Sequence, residues 1–240
     1  MDYEEMNYQS LSSRQREWNS SLAFSALMRK VYVWMSLALV ITALAAYGVA
    51  TNPVMTEILL SNPVLMWGIV GAELLLVIGL GAGVNKMSLT VATTLFIVYS
   101  ILNGVMLSSI FFVYSLGSIT TVFLITAATF GVMSLYGYVT QKDLTSWGRL
   151  LMMALIGLII ATIVNVFVAS PGLTLIASYV GVLVFVGLTA YDTQRIKQMF
   201  LTAPDAGEHM QKYALLGALN LYLDFVNLFL YLLRIFGKRE

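Results

Sequence analysis

Asp192 and Asp224 stand in the most apolar stretches of this 240-residue chain. Asp192 closes the run VGVLVFVGLTAYD, and Asp224 sits inside LLGALNLYLDFVNLFLYLL. A charged side chain at membrane depth costs at least about 2.5–3.5 kcal/mol on insertion scales, so it generally has a partner or a function. Around Asp224 the residues Tyr213, Gly217, Asn220, Asp224, Asn227 and Tyr231 recur at spacings of four, three, four, three and four. That places them on one helix face, which must be hidden from lipid inside a bundle. If Asp192 meets Asp224, two carboxylates in a poorly solvated interior cannot both ionise cheaply, and they titrate as a pair. Such a pair suits a pH-sensitive latch or a weak cation site. Calcium favours hard oxygen ligands, which two carboxylates with amide and backbone oxygens supply. So few charges bind weakly, which permits release and conduction.

Each of these residues also has a plainer reading. Asn220 and Asn227 can simply hydrogen-bond neighbouring helices. Asp192 can be a helix-end residue paired with Arg195. Asp224 lies eleven residues into a segment that begins near Tyr213, or about 17 Å along a helix, so spacing alone does not bring it to Asp192. Glu73, in the middle of another apolar run, is either a hydrogen-bonded glutamate in a helix interface or a further group lining the same path. His209, in APDAGEHMQK, is expected to be solvated. Lys142-Asp143 is expected to carry topology rather than chemistry.

The elements that must position these residues are membrane helices. Hydrophobic residues make up 59% of the chain and charged residues 10%, against roughly 25% charged in soluble domains. Mean hydropathy is +0.85. A span needs about 20 apolar residues, and seven stretches qualify: 30–50, 64–84, 89–112, 117–139, 149–169, 172–192 and 213–233. Backbone groups in lipid must be satisfied internally, so all seven are helices. The fold class is therefore an all-α polytopic membrane protein with the last helix central. Residues 1–28 form a polar cytoplasmic tail, 29–236 the membrane domain and 237–240 a short basic tail. The N-terminus, MDYEEMNYQSLSSRQREWNSS, lacks the pattern of a cleaved signal peptide, and the Asn19-Ser20-Ser21 sequon carries no weight in a cytoplasmic tail.

Lysines and arginines orient the bundle. Arg14, Arg16, Arg29 and Lys30 precede the first span. Lys86, Lys142, Arg149, Arg195, Lys197 and Lys212 occupy every second connection after it. The alternate loops, TNPVMTEILLSNP, FVYSLGS and ASPG, carry no basic residue, so the N-terminus is cytoplasmic. The ending RIFGKRE disagrees, because seven crossings put Arg234, Lys238 and Arg239 outside. Either the last segment crosses with a basic outer tail or it turns back, and the consistent loops favour crossing. Gly79-x-x-x-Gly83 is read as a close-packing motif, since no strand precedes it and no Lys-Ser/Thr follows.

The composition excludes several functions. Net charge is +1, which gives no reason to propose nucleic-acid binding. Cysteine is absent and histidine occurs once, so no zinc cluster can be built, and no organic cofactor is expected either. Paired aspartates on neighbouring helices also occur in presenilin-type intramembrane proteases. Tyr191-Asp192 fits that pattern, but LYL precedes Asp224 where Gly-x-Gly is required, and Pro-Ala-Leu is missing. No Gly-x-Ser-Gly or Gly-x-Ser-x-Gly motif is present. The chain is read as a non-enzyme.

GLTAYDTQRIK, LYLDFVNLFLYLLRIFG and the loop phrase SLYGYVTQKDLTSWG resemble the Bax inhibitor-1 family, and the last phrase its bacterial members. The likeness runs through essentially all seven spans. It implies a seven-helix fold around the last helix, in a bacterial inner membrane, with a slow, pH-sensitive leak of calcium. In that picture Asp192 and Asp224 are the pH sensor and latch, and Glu73 sits where an acid lines the path. Some members carry an arginine near the inner end of the second span that engages the pair. Here GAGVNKMS puts Val84 at that place, with Lys86 nearby, so the resemblance does not carry that arm of the latch over. A second family role, binding and modulating a membrane-anchored protease, needs no ion path.

Overall fold

The computed structural model describes residues 3–202 and 206–239, with side chains from Ser21 onward. Eight α-helices follow one another: α1 (Tyr3–Ala50), α2 (Pro53–Ser61), α3 (Pro63–Gly83), α4 (Leu89–Leu107), α5 (Leu116–Val139), α6 (Thr145–Val168), α7 (Pro171–Leu201) and α8 (Glu208–Phe236). Short 3-10 turns, Val84–Lys86 and Ser108–Phe112, extend α3 and α4. Seven of these helices are long and apolar enough to cross a membrane; α2 is the exception. Large apolar side chains such as Val64, Trp67, Leu75, Phe167 and Leu183 are exposed, an arrangement that water would penalise and lipid would not.

Local chemistry sets the helix starts. Asn52, Asn62 and Ser170 each stand immediately before a proline, and each side-chain oxygen accepts from backbone N–H groups of the following first turn. A capping oxygen satisfies orphan donors, and proline at the first helical position has no donor to lose. The segment TNPVMTEILLSNP, read as a loop, is thereby broken into two capped starts with the short α2 between them. The segment expected to precede the first span is continuous with it in α1; the side chains before Ser21, Asn19 included, lie outside the described residues, while Leu27 and Met28 are buried. At the end of α6, Ala169 takes a left-handed conformation (φ 50°) and its N–H bonds the Asn165 carbonyl, closing that helix.

As expected, α8 is central. It packs against α7, α1, α5 and α4, and 67% of its most apolar stretch is buried, against 6% for α3 and for α6. The α3 helix leans mainly on α4, and α6 on α7. Two close approaches fix the packing. A Cβ at Gly137 of α5 would collide with the Ala190 backbone of α7, and one at Gly104 of α4 would lie 2.5 Å from the Thr42 carbonyl of α1. Gly79 does not behave as its motif suggested. A Cβ there would meet nothing, and at Gly83 it would meet only the end of Met87, because α3 is peripheral.

The chain's basic ending is resolved by α8, which runs unbroken to Phe236. Beyond it, Ser115 N–H donates to the Lys238 carbonyl (3.3 Å), and Lys238 N–H donates to Ser118 Oγ (2.9 Å). The tail is therefore tied to the base-free α4–α5 connection, and the last segment does not turn back.

Candidate functional site

The pairing of α7 with α8 is set by large residues meeting small ones. Tyr231 of α8 fills the space over Gly181 of α7, where a Cβ would lie 2.6 Å from its ring. It stacks on Phe185 at 5.9 Å between centroids. The helices are antiparallel, so moving seven residues from Phe185 to Asp192 and seven back from Tyr231 to Asp224 travels about 10 Å in the same direction. Seven residues also return to nearly the same helix face. Asp192 and Asp224 thus occupy the same interface as the ring pair, one heptad further along. Past them, Ile196 covers Gly217, with a Cβ there 3.0 Å from its Cδ1.

This register answers the 17 Å difficulty. Asp192 is not at the end of its helix, because α7 continues to Leu201, and α8 begins at Glu208 rather than near Tyr213. By the same pairing Leu201 lies level with Leu215, so the first turns of α8 extend beyond the end of α7. The added turns are polar enough to fall outside a hydropathy window, yet they hold the helix.

Asp224 is buried, 4% exposed, and its Oδ2 has no hydrogen-bond partner. It lies within electrostatic range of Asp192, which is half-buried. Asp192 feels the charge of Arg195, but Arg195 is exposed, and no ion pair joins the two among the described residues. The helix-end pairing is therefore not what occupies Asp192. In the 3-10 turn after α3, Val84 is buried in the core and Lys86 is exposed, and no ion pair joins Lys86 to either aspartate among the described residues. Asn227 turns its Nδ2 back to the Leu223 carbonyl of its own helix (2.8 Å) rather than across to a neighbouring one. Asn220 is half-buried one turn before Asp224. No group of three or more acidic, histidine or cysteine side chains that could hold a metal occurs among the described residues. With two carboxylates alone, any cation held here is held weakly.

The sequence reading missed how much of GLTAYDTQRIK is structural. Ala190 meets Gly137, and the Tyr191 ring occupies the space beside Gly148. Thr193 Oγ1 contacts Ser134 Oγ at 3.1 Å, and Ser134 in turn contacts Tyr32 Oη at 2.7 Å, joining α7, α5 and α1. Buried Gln194 accepts from Leu144 N–H (2.9 Å) and donates to the Lys142 carbonyl (2.8 Å), clamping the α5–α6 connection. Lys197 Nζ donates to the Tyr138 carbonyl at the end of α5 (2.6 Å), where a cation also favours the helix dipole.

Glu73 does not join the aspartates. Asn103 of α4 lies beside it, with Tyr99 and Tyr222 within electrostatic range. Tyr222 and Asp224 are two residues apart, about 200° around α8, so Glu73 and the pair lie on different sides of the central helix. Tyr222 had no place in the sequence reading, since a tyrosine off the polar stripe reads as core. His209 is exposed and packs edge-on against Tyr213 at 4.9 Å. An open groove of about 480 Å³ runs along the outer face of α1 from Arg29 to Val40, and a cavity of about 100 Å³ lies between α1, α4, α5 and α8 around Thr42 and Phe225. Neither reaches Asp192 or Asp224.

Comparison with known proteins adds the lineage. The sequence profile described as "Inhibitor of apoptosis-promoting Bax1" matches residues 25–240. The chain belongs to the Bax inhibitor-1 family. Within reach of the family, it is 50% identical to the inner membrane protein YbhL of Escherichia coli K12 over 215 residues, 89% of this chain and 92% of that protein. It is 44% identical to an uncharacterized protein of Borreliella burgdorferi, over 94% of this chain and 97% of that one. An uncharacterized protein of Rickettsia prowazekii, RP147, is 43% identical over 89% of each. The membrane-spanning architecture and the family are thus consistent from end to end of the bundle.

Proposed function

We propose that this family member is a slow, pH-gated calcium leak of a bacterial inner membrane, with its N-terminus and residues 1–28 cytoplasmic, residues 29–236 in the bilayer and 237–240 outside. The observation that carries the reading is Asp224. It is a carboxyl group at the middle of the central helix, with one oxygen unpartnered and Asp192 beside it. Buried polar groups are ordinarily satisfied, so an orphaned oxygen on a carboxyl group within electrostatic range of a second acid marks a group built to exchange something. When both acids are charged they repel across the α7–α8 interface, and a shared proton removes the repulsion. That makes the pair a latch between two of the best-packed helices. Calcium is the cargo, and Asn220 with the two carboxylates supplies the hard oxygens it would pass.

The test is calcium flux into liposomes holding the purified chain, followed across pH. The expected result is a slow, pH-dependent flux whose pH dependence is lost in Asp192→Asn and in Asp224→Asn. Flux that ignores pH and both substitutions refutes the leak.

A second reading has its own support. The Asp192 motif orders the α5–α6 connection through Gln194 and Lys197, which is what a docking surface for a membrane-anchored protease would need. Co-purification of such a partner with the Asp192→Asn/Asp224→Asn double variant, with biological activity intact, would favour a non-conducting regulator.

A further inference from the structure

Glu73 presents the same anomaly as Asp224 on the other side of α8. Its Oε1 is buried and has no hydrogen-bond partner, and no lysine, arginine or histidine forms an ion pair with it among the described residues. The titratable groups near it are Tyr99 of α4 and Tyr222 of α8. On α2 the acid Glu57 is exposed, and on the 3-10 turn after α3, Lys86 is exposed as well. A lone intramembrane acid with neutral neighbours must be neutralised by something it binds.

The hydrogen bonds beside it are short of protons. Thr42 Oγ1 lies 2.9 Å from the Ser100 carbonyl and 2.7 Å from Tyr222 Oη, and Tyr222 Oη lies 3.0 Å from Asn103 Oδ1. Two hydroxyl groups bring two protons to three contacts. The order that leaves the fewest buried acceptors unpaired runs Thr42 to Tyr222 to Asn103, since the Ser100 carbonyl belongs to α4 and can accept within the helix. Asn103 Oδ1 is then fixed as an acceptor, which leaves its Nδ2 as the amide's free donor beside Glu73. Tyr222 therefore decides which end of the Asn103 amide is left free for a neighbour. Its own ring is held by edge contacts with Phe96 (6.0 Å) and Tyr99 (5.9 Å).

We propose that Glu73 is a second proton-binding station of this membrane domain, separate from the aspartate pair, with Asn103, Tyr222 and Thr42 as its positioning residues. The station deepens the acid-gated reading and rests on that reading only for its effect on flux. Its existence is tested apart from flux, on the full chain in lipid nanodiscs. Infrared difference spectra taken across pH report the carbonyl stretch of protonated carboxyl groups. In the Asp192→Asn/Asp224→Asn background a titrating band is expected to persist and to vanish on adding Glu73→Gln. Tyr222→Phe, or Thr42→Val should the first variant fail to fold, is expected to move that band's frequency and to shift its midpoint by about one pH unit or more, the size of a hydrogen bond to a charged group. Absence of a band dependent on Glu73, or one indifferent to both hydroxyl variants, overturns the proposal. So does a band that calcium abolishes at constant pH, which would make the occupant a cation. A protein with no calcium flux but an intact Glu73 band would refute the leak and leave the station standing.

Discussion

At the scale of single residues, the charge on Asp224 works against the fold that surrounds it. Removing one member of a buried ion pair is destabilising because it strands the other charge, but among the described residues no ion pair involves Asp224. Asp224→Asn keeps the shape and removes the repulsion with Asp192, so its thermal midpoint in detergent at neutral pH is expected to equal or exceed that of the native chain. A clear loss of stability would mean that the carboxylate has a structural partner. Asp143 behaves oppositely and is a useful control. Its carboxylate is hydrogen-bonded by the Thr145 side chain and backbone N–H, with a smaller contribution from Arg149, and these hold its pKa below the usual aspartate range. A depressed folded pKa contributes stability that is complete above the unfolded value and is lost as pH falls through the folded one. Hydrogen exchange in the first turn of α6 should therefore quicken only in strong acid, and Asp143→Asn should abolish that response while leaving any pH dependence of flux untouched.

At the scale of elements, the helices divide into those that pack on backbone and those that face lipid. Gly137 and Gly104 let α5 approach α7 and α4 approach α1 to backbone contact, whereas Gly79 on α3 has open space around it. Gly137→Ala forces α5 and α7 apart and is expected to cost about 1–3 kcal/mol, the usual penalty for overpacking. Gly79→Ala should be neutral or slightly stabilising, since alanine is the better helix former by about 0.5–1 kcal/mol. Thermal unfolding of the two variants side by side decides the matter, and equal losses would mean that α3 has a partner along that face. The glycine spacing could not make this distinction. A Gly-x-x-x-Gly pattern states that a helix can be approached closely, and only the neighbours state whether it is.

At the scale of the whole molecule, the seven spans and their alternating basic connections predict opposite membrane sides for the α5–α6 connection and the C-terminal tail. The chain has no cysteine, so single replacements can be labelled unambiguously. Lys142→Cys and Lys238→Cys are both at exposed positions, and an impermeant maleimide added to intact cells should label the second and not the first. Labelling of both from one side would remove the seventh crossing. The hydrogen bonds from Ser115 and to Ser118 anchor the tail at the same end of the bundle as the base-free α4–α5 connection.

The sequence by itself determined the membrane class, the seven spans, the burial of α8 and the prominence of Asp224. Those follow from composition and from helical periodicity, which are local properties of the chain. The placing of Asp192 level with Asp224 across the α7–α8 interface was not legible, because hydropathy ended α7 at Asp192 and the true ends depend on polar turns held by packing. The register was decided by Tyr231 settling over Gly181 and against Phe185. The tertiary structure also set Glu73 apart, with Tyr222, Asn103 and Thr42 from three different helices. No spacing along a chain can announce that meeting, because residues on separate helices are joined only by the way the helices pack.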